Sequence, residues 1–553
     1  SFDEATTDAL LKGCHSALGT RIEDLLLAAL AASLGRVLSV PDTLVEMEAH
    51  GREDLFDDID LSRTVGWFTA SYPVRVHGGD GRDMVAVVKS AKQALRSVPN
   101  HGIGYGLLAG TGAVPSDEGI EVSFNYLGVF DTASSAPAGG AAAAGGRRSL
   151  VGMERANPGH VIDGRNERAR LLEVNAEVVD GRLSVELGYS RFRHHSDTMK
   201  EVGRSFELSL RNYLGLCSAG AALGRTPSDY PLCDVSQLEL DGILARHDLA
   251  RVEDMYALTP MQQGMLFHSA YAESPSEDVY FIQDWFRVSG CVDLSAFQAA
   301  WSHVVERHAI LRTVFEWEGL AAPVQVVLKD AGLEWRESDL RGLGEAEQAG
   351  ALRRAAVEDR ERGFDLRSRP PLRMHGFRVS DGEARVLLSV HHVLVDGWSN
   401  SIIAGEVHEV YGALVSGRSV PKLAPVRSPY SGYVQWLRAQ SLADAEGFWR
   451  SQLLGLESPT PLPFRSSSEG RESAAAPSGG YHTLETTVRV PGAADLRRSG
   501  LTLNTLVCSS WALLLWQYTG EPDVLFGVTV AGRPASLKHV DEAVGLFINT
   551  VAL

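Results

Sequence analysis

Arg21-Ile-Glu-Asp-Leu-Leu-Leu-Ala-Ala-Leu30 and Thr502-Leu-Asn-Thr-Leu-Val-Cys-Ser-Ser-Trp511 decide how this chain is built. Each stretch reads as an amphipathic helix. Arg52 of Ala49-His-Gly-Arg follows Asp24 by 28 residues, and Arg533 of Val530-Ala-Gly-Arg follows Thr505 by the same 28. Between helix and Gly-Arg, each copy has a strand-like run in which β-branched or apolar residues partly alternate, Thr43–Glu48 and Asp523–Val530. Soon after comes a third match, Thr64-Val-Gly-Trp-Phe-Thr69 and Ala543-Val-Gly-Leu-Phe-Ile-Asn-Thr550. Three matched elements in one order make an internal repeat rather than a coincidence.

The repeat predicts the organisation. The first copy runs on for well over a hundred residues, whereas the second ends at Leu553, so we expect the second copy to be cut short. Conversely, the block at roughly 255–480 has no counterpart before residue 1, so the first copy is expected to lack its front half. Taken alone, the 553 residues should then catalyse neither copy's reaction. Strands and helices alternate in both copies, which predicts an α/β class with helices layered on sheets.

Punctuation divides the chain further. Ala133–Gly146 consists only of Ala, Gly, Ser and Pro, a composition that cannot bury enough surface to order itself, and reads as a surface insertion. Thr226-Pro-Ser-Asp-Tyr-Pro-Leu232, followed by an acidic-apolar helix to about His247, reads as a linker packing on its neighbours. Ser466–Gly480 is a second separator. The expected segments are therefore 1–225, a linker over 226–254, a lobe over 255–465, a flexible loop over 466–480 and a further lobe from 481 to 553.

Composition narrows the function classes. A 44% hydrophobic content is ample for several cores. The net charge of −18 argues against nucleic acid or an anionic membrane as main partner, since both need a concentrated positive field. Five scattered cysteines (Cys14, Cys217, Cys233, Cys291, Cys508), with no Cys-x-x-Cys pair, suggest neither zinc nor disulfides and fit a reducing cytosol. The longest apolar runs, such as Leu25–Leu30 and Trp511–Trp516, fall short of the roughly 20 residues of a membrane span, and no leader is recognised.

The chemistry concentrates at His391-His392-Val-Leu-Val-Asp396-Gly397-Trp398. Ala384–Val390 reads as a strand whose end delivers the histidine pair, and Ser399 as the cap of a helix with Ile402, Ile403, Val407, Val410 and Leu414 along one stripe. An imidazole here can orient or deprotonate an amine attacking a thioester, with Gly397 allowing close approach of backbone. On composition alone the cluster can equally be a structural knot. His194-His195-Ser-Asp197, with no following glycine and charged surroundings, reads as solvated surface. Trp67, Phe68 and Phe547 read as core or lobe-contact side chains, and Leu258–Ser269 as a strand or turn because Thr259-Pro260 is a turn signal.

These motifs resemble a known family. His391-His392-x-x-x-Asp396-Gly397 matches the signature of condensation domains of nonribosomal peptide synthetases. It is joined in the family's order by Leu258-Thr-Pro-Met-Gln-Gln-Gly-Met-Leu-Phe-His-Ser269, Arg307-His-Ala-Ile-Leu-Arg-Thr313 and Val544-Gly-Leu-Phe-Ile-Asn-Thr550. The first copy resembles the sister epimerization domains through Asp24-Leu-Leu-Leu-Ala-Ala29, Glu48-Ala-His-Gly-Arg-Glu53, Arg63–Pro73, Pro99–Gly106 and Phe124-Asn-Tyr-Leu-Gly128. Ala49 departs from the family's usual glycine.

The resemblance implies chloramphenicol-acetyltransferase-like lobes, two pseudo-related and incomplete units, each built around a tunnel. It implies that His392 is the functional histidine and His391 mainly structural. Asp396 would be an architectural ion-pair partner, with Arg312 as its candidate partner, and Gly397 part of the same motif. In the first copy Glu48 would be the acid–base group of Cα epimerization, with Glu46 on the same strand face as competitor. The repeat aligns Thr529 with Glu48, the loss of a carboxylate expected of a non-epimerizing copy.

Substrates would be aminoacyl or peptidyl thioesters on the 4′-phosphopantetheine arms of carrier proteins, with no metal or nucleotide cofactor bound directly. Partners would be the flanking carrier domains and an adjacent adenylation domain, with no nucleic acid and no membrane, in the cytoplasm. The second copy's motifs resemble the subgroup taking a D-configured donor and an L-configured acceptor. Rival readings are a non-catalytic carrier-docking platform and a coenzyme A-dependent acyltransferase.

Overall fold

A computed structural model describes residues 1–13, 19–56, 58–115, 119–130, 166–218, 224–272, 274–290, 292–456, 460, 485–488 and 498–553. The Ala133–Gly146 and Ser466–Gly480 expectations lie outside these residues. The chain forms two compact units, Ser1–Ala257 with Glu316–Val326, and Leu258–Phe315 with Val327–Leu553. The expected linker therefore clusters with the first unit.

The first unit is a five-stranded mixed sheet under helices. Its strands are β1 (Asp42–Ala49), β2 (Ala70–His77), β3 (Val122–Phe130), β4 (Leu172–Val179) and β5 (Arg182–Tyr189), in the order β2-β1-β3-β4-β5. β1 runs antiparallel to β2 and parallel to β3. Helix α1 (Ile22–Leu38) is apolar nearly all round, and Leu25 to Leu34 are buried throughout. Such a helix needs cover on every side, and Val87 and Val88 of α2 (Met84–Arg96), Val202 and Phe206 of α3 (Ser196–Ser218) and Val74 of β2 share its core.

The linker is folded. Ser236 caps α4 (Gln237–His247), whose end lies at the predicted residue. β6 (Val252–Ala257) follows. Asp229 accepts from the buried Lys92 ammonium at 2.6 Å, and Lys92 also donates to the Gly224 carbonyl at 2.9 Å. Burial lowers the lysine's pKa and its hydrogen bond to Asp229 works the other way. Among buried groups such a pair is costly to break one partner at a time.

In the second unit, α5 (Pro260–Tyr271) replaces the expected strand or turn. Thr259 is the N-cap, Pro260 opens the helix and Gln262 reaches back to the cap in a capping box, so Thr-Pro-x-Gln was a helix start rather than a turn. A four-stranded sheet of order β8-β9-β10-β7 follows from β7 (Phe281–Ser289), β8 (Glu334–Asp339), β9 (Leu372–Ser380) and β10 (Glu383–His391). Helices α6 (Leu294–Arg307), α7 (Glu345–Arg362) and α8 (Gly397–Val415) accompany it. Leu340, Phe377 and Leu387 pack under Leu352 and Ala355 of α7. Glu406 of α8 pairs with Arg307 and His308 at the end of α6, at 3.0 and 2.8 Å. Helices α9 (Tyr430–Arg438), α10 (Leu442–Gln452) and α11 (Leu503–Thr519) lead to the hairpin β11 (Gly527–Val530) and β12 (Asn549–Ala552).

The repeat is structural. An offset of 481 carries Ile22 onto Leu503 and Leu38 onto Thr519, the limits of α1 and α11. The same offset carries Ala49 onto Val530, and an offset of 479 carries Ala70 onto Asn549. Ala49 faces Ala70 and Val530 faces Asn549, so the connecting loop is two residues shorter in the second copy while the strand register is kept. Thr529 occupies the place of Glu48, facing Thr550 where Glu48 faces Ser71.

Candidate functional site

β10 ends at His391, as its alternation predicts, with His391 opposite Phe281 of β7. The His391 amide donates to the Pro371 carbonyl at 3.0 Å, and the His392 amide to the Tyr280 carbonyl at 2.9 Å. The His391 ring is fully buried and engaged at both nitrogens. Nδ1 accepts from the Val393 amide at 3.0 Å, while Nε2 lies 3.1 Å from Asp278 Oδ2 and 3.0 Å from Ser269 Oγ. His392 is half-buried, and its Nδ1 sits in a buried position with no hydrogen-bond partner among the described residues. A buried polar atom left unpaired costs free energy until a partner meets it.

Asp396 is wholly structural in its contacts. It is the N-cap of α8, a role expected of Ser399, and its Oδ1 accepts from the Ser399 amide at 2.8 Å. Oδ2 accepts from the Phe547 amide at 3.0 Å. Its ion pair is with Arg533, at 3.4 Å, and not with Arg312 as expected. Arg312 is buried in the turn before Thr313 and gives a guanidinium N–H to the Leu328 carbonyl. Carboxylate and guanidinium are thus engaged by different segments. Burial lowers the Arg533 pKa, against which Asp396 acts.

Around this pair, Ser399 Oγ donates to the Gly545 carbonyl at 2.7 Å and accepts from the Gly545 amide at 3.0 Å. Tyr430 donates to the Leu546 carbonyl at 2.7 Å. A Cβ on Gly545 would lie 2.1 Å from the Tyr430 ring, so only glycine fits. At Gly397 a Cβ would meet nothing within 4 Å among the described residues, so the space beside its backbone is open. Val544-Gly-Leu-Phe547 and Arg533 are the residues that sequence reasoning left without a role at Asp396. The signal was present, since both belong to the internal repeat.

Arg533 repeats the build of Arg52. Arg52 donates to the Leu61 carbonyl at 2.6 Å, and Arg533 to the carbonyls of Val540 and Ala543. Their guanidinium groups stand 4.2 and 4.1 Å from the Phe68 and Phe547 ring centres, within cation–π range. Gly51 and Gly532 have φ of 65° and 62°, and a Cβ on either would lie 1.6 or 1.7 Å from the carbonyl oxygen of that phenylalanine.

Glu48 and Glu46 share one face of β1 but not one environment. Arg170 grips Glu46 through Nε at 2.7 Å and Nη2 at 2.9 Å, and Ser71 donates to it at 2.8 Å. Among the described residues Glu48 accepts only from the neutral amide of Asn125, at 2.7 Å. Partial desolvation of its carboxyl, and then repulsion from Glu46, raise the Glu48 pKa. Of the remaining expectations, His195 is exposed and His194 half-buried, Phe547 is buried, and Trp67 is 92% exposed rather than core. Among the described residues no helix is long and apolar enough to cross a membrane.

The family model described as Condensation domain matches residues 1–229 and again 252–553. A component of the linear gramicidin synthase of Brevibacillus parabrevis is 38% identical over 564 residues, covering 100% of this chain and 7% of that protein. A component of the mycosubtilin synthase of Bacillus subtilis is 34% identical over 556 residues, covering 99% and 20%. The chain therefore spans a small part of either relative. Among solved structures, the epimerization domain from the third module of tyrocidine synthetase B is 29% identical, with a TM-score of 0.34 over 39% of this chain and 47% of that one.

Proposed function

Because this chain belongs to the condensation-domain family of nonribosomal peptide synthetases, we propose that its second unit joins two carrier-bound thioesters at the His392 site. The acceptor's amine nitrogen bonds to the donor's thioester carbon, the C–S bond breaks, and the amine proton ends on the departing thiolate of the donor's phosphopantetheine arm. His392 orients that amine or relays its proton. The observation carrying this reading is the division of labour in the histidine pair, since His391 is consumed by structural bonds and His392 Nδ1 is not. Asp396 ties the start of α8 to Arg533 and to the Phe547 amide.

We assign the first unit to the epimerization relatives, with Glu48 exchanging the Cα proton of a carrier-bound residue. Its support is the contrast with Glu46: a carboxylate locked to arginine is a poor base, whereas Glu48 has a neutral partner and a raised pKa. An epimerizing unit directly upstream hands on a D-configured terminus, so the second unit should take a D donor and an L acceptor. The partners are upstream and downstream carrier proteins and an adenylation domain.

In a complete module, His392→Ala should remove most dipeptide formation while the fold persists, as read by mass spectrometry of the carrier-bound product. Wild-type rates in that variant would refute the assignment. With Glu48→Gln preventing interconversion, D- and L-terminated donors loaded separately should differ in rate by about tenfold or more. Equal rates, or a preference for L, would defeat the stereochemical reading.

A further inference from the structure

We infer that Asp278, assisted by Ser269, is a positioning residue of the site: it fixes the tautomer and ring orientation of His391 and thereby the peptide from which His392 projects. The inference rests on the condensation reading of His392. Nothing in the histidine motif points to Asp278, which lies 113 residues before His391 in the sequence. It follows a 3-10 turn, Pro275–Glu277, just ahead of β7.

The geometry leaves His391 one arrangement. Its Nδ1 accepts the Val393 amide proton, so Nδ1 carries no proton of its own. The ring proton therefore sits on Nε2, pointing at Asp278 Oδ2 and Ser269 Oγ. Ser269 in turn donates to Asp278 Oδ1 at 3.1 Å, and the Tyr280 amide donates to the same oxygen at 2.9 Å. Asp278 thus gathers three donors from α5, from its own loop and from the end of β10. Burial would push its pKa up, but the hydrogen bonds from His391, the Tyr280 amide and Ser269 outweigh it and leave the pKa lowered.

The consequence reaches His392 through the backbone. The His391 ring braces the turn at both edges, against Val393 ahead and Asp278 behind, and the His392 amide is bonded to Tyr280, two residues beyond Asp278. Loss of the Asp278 carboxylate frees the ring to rotate and releases the Tyr280 amide, which loosens the peptide carrying His392. The arrangement is that of an orienting carboxylate behind a histidine, except that the oriented histidine is the neighbour of the reacting one.

Two measurements test this. In the full chain labelled with 15N-histidine, with the His391 signal assigned by its loss in His391→Gln, the neutral ring of that residue should carry its proton on Nε2. A mixed tautomer, or one with the proton on Nδ1, overturns the inference without reference to activity. In a complete module, Asp278→Ala should lower kcat about ten- to a hundredfold, with the KM for the acceptor carrier unchanged. Asp278→Asn, which keeps an acceptor oxygen for Nε2–H, should recover most of the rate. An unimpaired Asp278→Ala, or an Asp278→Asn no better than alanine, would equally overturn it. Normal turnover by a parallel His392→Ala would instead locate the failure in the condensation reading, while the tautomer result still decides the state of His391.

Discussion

The turn Val65-Gly-Trp-Phe68 and its counterpart Val544-Gly-Leu-Phe547 have the same local build and opposite surroundings. In both, a left-handed glycine presses on the phenylalanine carbonyl, an arginine stacks on its ring, and the flanking hairpin keeps register. Yet Val65 and Trp67 are 98% and 92% exposed, whereas Val544 and Leu546 are 3% and 1% exposed. The second turn is covered by Asp396 and Ser399 at the start of α8 and by Tyr430. The helices invert the contrast: α1 is buried nearly throughout, while α11 buries Leu515 but exposes Val507, Trp511 and Trp516. The turn's conformation is thus coded locally, and its burial is a property of what packs on it.

The largest effect should come from cutting the link between α8 and the second turn. Asp396→Ala removes the cap of α8, the acceptor for the Phe547 amide and the partner of a nearly buried Arg533. Stranding that guanidinium should cost about 3–5 kcal/mol, seen as a lower denaturant midpoint for the second unit. A loss under about 1 kcal/mol would show that the lobe contact does not depend on the pair.

Truncation sharpens the burial contrast. Leu546→Ala should destabilise by about 2–5 kcal/mol, and Trp67→Ala by no more than about 0.5 kcal/mol. Similar losses at both positions would mean that Trp67 is covered in solution. The glycines make the converse test, because their constraint is local. Gly51→Ala and Gly532→Ala should each cost roughly 1–3 kcal/mol, and by similar amounts, since each Cβ meets a backbone carbonyl at left-handed φ. A large cost in one copy alone would break the equivalence.

What the sequence disclosed follows the same division. The repeat, the strand ending in His391, the helix to His247 and the alignment of Thr529 with Glu48 rest on local pattern or spacing, and they stand in the structure. Long-range partners were not legible. Arg312 and Arg533 are both arginines near family motifs, and nothing in periodicity says which one reaches Asp396. Asp278 was equally invisible, because its relation to His391 exists only once β10 and the loop before β7 lie side by side. Thr259-Pro260 was legible but misjudged, since its reading turns on Gln262 three positions on from the cap. The core half of the Trp67 reading fails for another reason: apolar character states a preference for cover, and cover is supplied from elsewhere.

The smallest predicted effect compares Glu48 with Thr529. A carboxyl whose pKa is higher folded than unfolded binds its proton more tightly in the folded state. Stability therefore falls as pH rises from the unfolded value, about 4.3, through the raised folded value, and stays lower above it. Glu48→Gln removes this dependence, so the variant should gain on the wild-type first unit across that window and keep the gain at neutral pH. Glu48 is an exposed residue, and solvent screening limits the gain to a few tenths of a kcal/mol. Thr529→Val, at the equivalent place, should leave the pH dependence of the second unit untouched, because no ionisable group is removed. Paired denaturant titrations at several pH values from about 4 to 7 read both variants. A Glu48→Gln variant that loses stability as pH rises relative to wild type would show that the carboxylate is held by a favourable charge rather than opposed by Glu46, and would remove the distinction on which its role as the base depends.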